Sequence, residues 1–267
     1  MQQAHDFLDE SNALLSLVET LDSDGLAEVT AFKGWTIENV IGHLHIWNHA
    51  ADLSLRDEAG FFDFFAPIAP ILKSGGSLRD FEKGWLADRG LAGPELVQTW
   101  ADLFRALAAR FAEADPSARV KWAGPDMSVR SSATARLMET WAHGQEIYDV
   151  LGLVRQNTDR IGNIVMLGVN TFGWSFRVHG QPVPEMMPHL RLTAPSGAVW
   201  TYGDPSDTEV IKGPAEEFCQ VVTQTRNVAD TRLSVIGPVA TAWMARAQCF
   251  AGGAETPPAP GTRGLKS

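Results

Sequence analysis

The sequence predicts an α+β protein in two parts: a four-helix bundle over residues 1–158 and a small α+β domain over residues 159–251, followed by a disordered tail at 252–267. Three observations carry this reading. Apolar residues recur at helical spacing in four long stretches of the first part. Past Asp159 the pattern changes to short alternating segments punctuated by Gly and Pro. The final stretch is rich in Gly and Pro, as chain ends that stay unpacked often are.

Taken in order, Leu8, Leu14, Leu15, Leu17, Val18 and Leu21 make the apolar stripe of a first helix, which Asp22-Ser23-Asp24-Gly25 stops. Thr36 is placed to cap a second helix, with Glu38 favourable in its first turn. Ile37, Val40, Ile41, Leu44, Trp47 and Ala51 continue one stripe, so this helix carries His43, His45 and His49. The aromatic run Phe61-Phe62-Asp63-Phe64-Phe65 with Pro67 and Pro70 reads as a break with apolar packing around it. Pro94 opens a third helix through Leu96, Val97, Trp100, Leu103, Phe104, Leu107 and Phe111, ending at Asp115-Pro116. A loop at 122–128 precedes a fourth helix, capped by Ser131 or Ser132 and running through Leu137, Trp141, Ile147 and Leu151 to Gly152. In the second part a helix over 160–178 leads to a turn-rich hinge at 179–184. A hairpin follows, with strands at 190–194 and 199–202 around Ser196-Gly197. A strand at 209–213, a helix opened by Pro214, a strand at 232–236 and a closing helix over 239–250 complete the domain.

Composition narrows the function classes. A formal net charge of -10, with no Lys/Arg cluster, argues against nucleic acid or an anionic membrane as partner, since both require basic patches. Cys219 and Cys249 sit in apolar helical segments, which suits buried free thiols in a reducing cytoplasm better than a disulfide framework. The amino terminus lacks a basic region followed by an apolar core, and no apolar run approaches a membrane span. These features describe a soluble cytoplasmic protein acting on a small molecule, with monomer and homodimer both open.

Chemistry concentrates on the second and fourth helices. Glu139 and His143 are four residues apart, so both side chains can reach one ion from one helix face. On a helical wheel Leu137, Trp141, Tyr148 and Leu151 share one stripe while Glu139, His143 and Glu146 lie roughly opposite, a pattern that a solvated polar face explains equally well. The second helix offers a third ligand, but His43 flanks one side of its stripe and the pair His45 and His49 the other. Periodicity does not choose among them.

A family resemblance does choose. Trp35-Thr36-Ile-Glu-Asn-Val-Ile-Gly-His43-Leu44 resembles the segment opening the second helix of the DinB-like superfamily, and specifically its mycothiol-dependent maleylpyruvate isomerase branch. Glu139-x-x-x-His143, followed by Gly144-Gln-Glu-Ile-Tyr-Asp149-Val-Leu-Gly152, is similar to that branch's second metal motif. Gly213-Pro-Ala-Glu-Glu-Phe-Cys-Gln-Val-Val-Thr-Gln-Thr-Arg226 is similar to a second-domain helix that ends in arginine. The resemblance implies a DinB-like bundle binding zinc through His43, Glu139 and His143, and a small SCP2-like carboxy-terminal domain. It also implies a low-molecular-weight thiol, mycothiol or glutathione, as cosubstrate, added to an unsaturated carboxylic or carbonyl compound by an isomerase or transferase.

Two histidines and one glutamate suit zinc, although nickel, manganese or iron accept the same ligands. A carboxylate substrate calls for an arginine fork; Arg226 is chosen as the catalytic cation by resemblance, ahead of Arg79 and Arg89. Glu146 and Asp149 are the candidates for orienting a ligand imidazole. Two rival readings stand beside this one. The same ligands serve a metal-dependent hydrolase with Glu146 as general base. Alternatively Trp174, Phe176, Trp200 and Phe218 line an apolar cavity in a non-enzymatic binding module for a small molecule or lipid.

Overall fold

The computed structural model describes residues 1–122 and 124–266 of an α+β chain. Its contacts divide into two compact units, Met1–Ile147 and Tyr148–Ser267. The first unit is helical. Helix α1 (Gln2–Val18) is followed by the single turn α2 (Ser23–Leu26), and α3 (Ile37–Arg56) is capped as its sequence predicts, Thr36 Oγ1 accepting from Asn39 N at 3.1 Å. The stretch read as an aromatic break forms three short helices, α4 (Glu58–Phe65), α5 (Ile68–Lys73) and α6 (Leu78–Ala87). Asp57 caps α4, and Ser77 with Asp80 forms a capping box at α6, signals that the aromatic run obscured.

Helix α7 (Gly93–Glu113) opens with Pro at its start and packs against both α1 and α3. Phe7 of α1 meets Phe111 of α7 edge to face at 6.2 Å, and Trp100 and Phe104 of α7 are fully buried between the helices. A two-residue ladder pairs β1 (Arg119–Val120) with β2 (Met127–Ser128); of the loop expected at 122–128, Ala123 lies outside the described residues. Helix α8 (Val129–Val150) follows directly, and Ser128 Oγ accepts from Ser131 N at 3.1 Å, so the side chain at its start comes from Ser128, not from Ser131 or Ser132.

The second unit begins in the last turn of α8, where the sequence reading set the change of character after residue 158. Helices α9 (Gly162–Asn170) and α10 (Phe172–Arg177) replace the single helix expected over 160–178, with the break at Thr171. Strand β3 (His189–Thr193) pairs antiparallel with β4 (Val199–Tyr202) around Gly197, whose φ of +87° the turn requires. Strand β5 (Val210–Pro214) runs parallel to β3, and β6 (Ser234–Ile236) closes the sheet in the order β4-β3-β5-β6. Helix α11 (Ala215–Val222) follows β5 directly, and α12 (Pro238–Met244) is shorter than the closing helix predicted.

Phe218 of α11 packs on Trp243 at 5.6 Å, and Phe172 lies 5.3 Å from Phe176 and 5.0 Å from Trp243. Phe176 and Phe218, expected to line a cavity, are therefore core residues; Trp174 donates its indole N–H to Phe250 O at 3.2 Å, and Trp200 meets Gly162. The tail, expected to be disordered, is hydrogen-bonded through residue 266: Gly261 N donates to Asp230 at 2.9 Å, Arg263 to Gln224 O at 2.9 Å, and Lys266 N to Asp149 O at 2.8 Å. Backbone donors in the Gly/Pro-rich segment thus find acceptors within the unit. Ser267 lies outside the described residues.

Candidate metal centre

Helices α3 and α8 bring His43, Glu139 and His143 together, with one ligand atom from each lying within 4.8 Å of the others. His43 Nε2 and His143 Nε2 each stand 3.4 Å from Glu139 Oε2, and the two imidazoles are 4.6 Å apart, centre to centre. The 3.4 Å spacings match the edge of about 3.3 Å expected of a tetrahedron with bonds of ~2.0 Å, as zinc prefers. Two imidazole nitrogens and a carboxylate oxygen, all presented from helices, fit such an ion.

Local sequence explains the placement. Helix α8 is buried nearly all round, with Leu137, Thr140, Trp141, Glu146 and Ile147 each at most 1% exposed, so its polar residues turn into the protein and the solvated-face alternative fails. Lining the other side, Thr30 N donates to Trp35 O at 2.8 Å and a bridge joins Val29 to Thr36, which fixes the loop before α3. That loop delivers Trp35 parallel to the His143 ring at 5.8 Å and Phe32 edge-on to it at 5.1 Å. Trp47, one turn beyond His43, completes an aromatic wall at 6.1 Å.

The carboxylate that orients His43 is Glu82 of α6, which sequence reasoning did not single out. His43 Nδ1 lies 2.7 Å from Glu82 Oε1, and Trp47 donates to the same oxygen at 2.9 Å. Arg79 donates to the other oxygen at 2.9 Å and lies over the Trp35 ring at 4.8 Å. With Nδ1–H given to Glu82, the lone pair of His43 sits on Nε2, facing Glu139. Gly42 permits this approach of α6: a Cβ there would stand 2.7 Å from Leu86, on the same face of α6 as Glu82.

The electrostatics follow from this packing. Burial alone would raise Glu82, but its hydrogen bonds and the charge of His43 push it down to about 2. Burial likewise opposes ionisation of Glu139, yet the two imidazoles and the Arg136 charge hold it well below the usual carboxylate range. For His43, burial is outweighed by Glu139 and Glu82 and the pKa is raised; for His143 burial prevails and the pKa is lowered. Two anionic carboxylates and a neutral His143 are the states a cation requires.

The other predicted residues lie as follows. His45 is buried against Trp85 at 5.7 Å and, through burial and then the nearby His49 and Arg89, is pushed down to about 4. His49 faces a separate cavity of about 530 Å³ with Trp85 and Arg89. Arg89 stacks on Trp85 at 3.8 Å. Glu146 is buried on α8. Asp149, in the second unit, accepts two hydrogen bonds of 2.7 Å from Arg226, which is itself nearly buried.

An inward His-Glu-His cluster between helices of a bundle is an arrangement that could hold a metal ion. Comparison with known proteins gives the family. Residues 7–148 match the model of the mycothiol maleylpyruvate isomerase N-terminal domain, and the chain belongs to that family. Two uncharacterized proteins of Mycobacterium tuberculosis, from strains H37Rv and CDC 1551, are each 35% identical over 243 residues, covering 91% of this chain and 93% of the relative. Crystal structures titled as the mycothiol-dependent maleylpyruvate isomerase and a histidine-to-alanine mutant of it share this fold with a TM-score of 0.51, at 17% identity, over 82% of this chain and 85% of theirs.

Proposed function

We propose that this protein is a zinc-dependent, thiol-using enzyme that adds a low-molecular-weight thiol to an unsaturated carboxylic or carbonyl compound. Completion of the cycle gives cis-trans isomerisation; arrest after addition gives a thiol conjugate. The observation that carries the reading is the cluster His43, Glu139 and His143, with His43 fixed by Glu82. Zinc held by these side chains would supply a Lewis acid that lowers the pKa of a thiol, making thiolate available at neutral pH. Family membership and the mycobacterial relatives favour mycothiol over glutathione as the first thiol to test.

The reaction balances without a redox partner. Thiolate sulfur bonds to the β-carbon and the π electrons move onto the carbonyl oxygen. The former double bond rotates; loss of thiolate restores the double bond in trans geometry. The protein's own residues then have defined tasks. By accepting Nδ1–H, Glu82 sets the neutral tautomer of His43 that carries its lone pair on Nε2, Glu139 supplies negative charge, and Trp35, Phe32 and Trp47 pack around the imidazoles. Arg226, the catalytic arginine that the family resemblance implies, has its fork held by Asp149 within the second unit. Glu146 and Asp149 are kept as supporting carboxylates. The thiol must come from outside, because Cys219 is fully buried and burial pushes its pKa well above the usual range. A reducing cytoplasm rich in small thiols is the setting this chemistry needs.

The test is turnover of an α,β-unsaturated acid with a panel of thiols, with and without chelator, alongside metal analysis of the wild type and His143→Ala. Thiol-dependent turnover, its loss with chelator and the loss of about one metal equivalent in the variant are the expected results. Unchanged metal content in the variant overturns the site; turnover indifferent to thiol overturns the thiol chemistry in favour of hydrolysis.

A further inference from the structure

Arg136 poses a charge problem that the metal ligands do not solve. It is 4% exposed, and its Nε and Nη1 are buried without a hydrogen-bond partner. A guanidinium out of water needs acceptors for its N–H groups, and an unpaired one is retained only at a cost in stability. Glu139 acts on it through its charge, as a mutual electrostatic effect, but makes no ion pair with it among the described residues. Burial accordingly pushes the guanidinium below its usual range. The face of Trp122 lies 5.3 Å away and attracts the cation without offering an oxygen acceptor.

Its place in the unit points to what is missing. Arg136, Glu139 and His143 occur at i, i+3 and i+7 on α8, so they share one helix face, with Arg136 one turn before the first ligand. Trp122, beneath the guanidinium, packs at 6.1 Å from Trp47, and Trp47 lies 6.1 Å from His43. The unpartnered cation and the candidate ligands therefore border the same aromatic wall. A divalent ion on the three ligands would absorb the charge of Glu139, leaving Arg136 with still less compensation.

We propose that Arg136 is the anchor for the carboxylate of the substrate, binding it in the first unit beside the metal ligands and thereby selecting unsaturated acids over uncharged carbonyl compounds. The position of the reacting carbon rests on the zinc-thiol reading; carboxylate binding by Arg136 does not, and can be measured without turnover. Guanidinium N–H groups match a planar carboxylate and provide specificity as well as charge. The assignment is distinct from Arg226, whose fork is already occupied by Asp149.

The experiment uses zinc-loaded full-length protein and calorimetric titration with maleate, in the wild type, Arg136→Met and Arg136→Lys. Metal content is measured in every sample. S-methylglutathione is titrated in parallel, because a carboxylate could also belong to the thiol. The expected result is saturable maleate binding that weakens at least tenfold in Arg136→Met and is partly recovered in Arg136→Lys, with zinc content unchanged. Arg136→Met should also melt no lower than the wild type, since a hydrophobic side chain replaces a buried charge without partners; a structural ion-pair role would lower it. Maleate affinity in Arg136→Met within twofold of the wild type overturns the proposal. A dependence on Arg136 for S-methylglutathione and not for maleate overturns the assignment to the substrate. Should either variant fail to fold, the Nε resonance of Arg136 in isotope-labelled wild type decides: it shifts on adding maleate if the proposal holds and stays put if it does not. Absence of metal from the wild type would sink the zinc reading while leaving the maleate comparison valid.

Discussion

Glu82 determines how His43 behaves, because one carboxylate oxygen takes both the Nδ1 side of the imidazole and the indole N–H of Trp47. Replacing it as Glu82→Gln should weaken zinc binding by about 10–100-fold, the usual effect of losing the outer partner of a ligand histidine; competition against a chromophoric chelator measures this. The pH dependence has a defined sign. Glu82 falls from an ordinary value of 4.5 to about 2 in the folded protein, so the unfolded chain takes up the proton first as pH drops. Its contribution to stability is fully present above pH 4.5 and disappears as pH falls toward about 2. Denaturant midpoints of metal-free wild type should drop across that window, and those of Glu82→Gln should drop less; parallel curves would refute the assignment. His43, Glu139 and His143 were candidates through motifs that resemble the family's, the Glu139–His143 spacing alone being equally compatible with a solvated face. Glu82 was not, because it lies 39 residues from its partner on a helix concealed within a Phe- and Pro-rich stretch. The signal for Arg136 was present in the i, i+3, i+7 pattern, but only burial gives it meaning.

At the scale of elements, α3 and α6 must come close for Glu82 to reach His43, and Gly42 is where they meet. A side chain there runs into Leu86, whose flexible end yields to a methyl group but not to a larger one. Gly42→Ala should therefore cost little, the helix propensity gain of roughly 1 kcal/mol offsetting the contact. Gly42→Leu should destabilise by about 1–3 kcal/mol through overpacking and lower zinc affinity by pushing α6 away; chemical denaturation and metal titration of the two variants check both. Four long helices were readable from apolar periodicity, and Thr36 from its position before the second. Helix α8 shows the limit of that method. Its apolar stripe is real, yet the opposite side is also buried, so a wheel that separates polar from apolar residues assigns the ligands to solvent.

For the whole molecule, the chemistry of the two units provides independent probes. The candidate ligands lie in the first unit, while Cys219 and Cys249 are both buried in the second. Zinc at 100 times its dissociation constant should stabilise the fold that binds it by about 2.7 kcal/mol. Chelation should lower the melting temperature accordingly, while both thiols stay inaccessible to an aromatic disulfide reagent under native conditions. Rapid thiol reaction in the native protein, or a melting temperature indifferent to chelator, would contradict these assignments. No helix among the described residues is long and apolar enough to cross a membrane. The sequence by itself determined the α+β class, the four long helices, the β3-β4 hairpin and the candidate status of His43, Glu139 and His143, because helix and strand periods and short motifs are local properties of the chain. Only the tertiary structure brought His43 beside Glu139 and His143, supplied Glu82, seated Asp149 on Arg226 and left Nε and Nη1 of Arg136 without a hydrogen-bond partner. Those outcomes depend on which side chains meet in a dry interior, where the cost of an unpaired charge is set by neighbours distant in sequence.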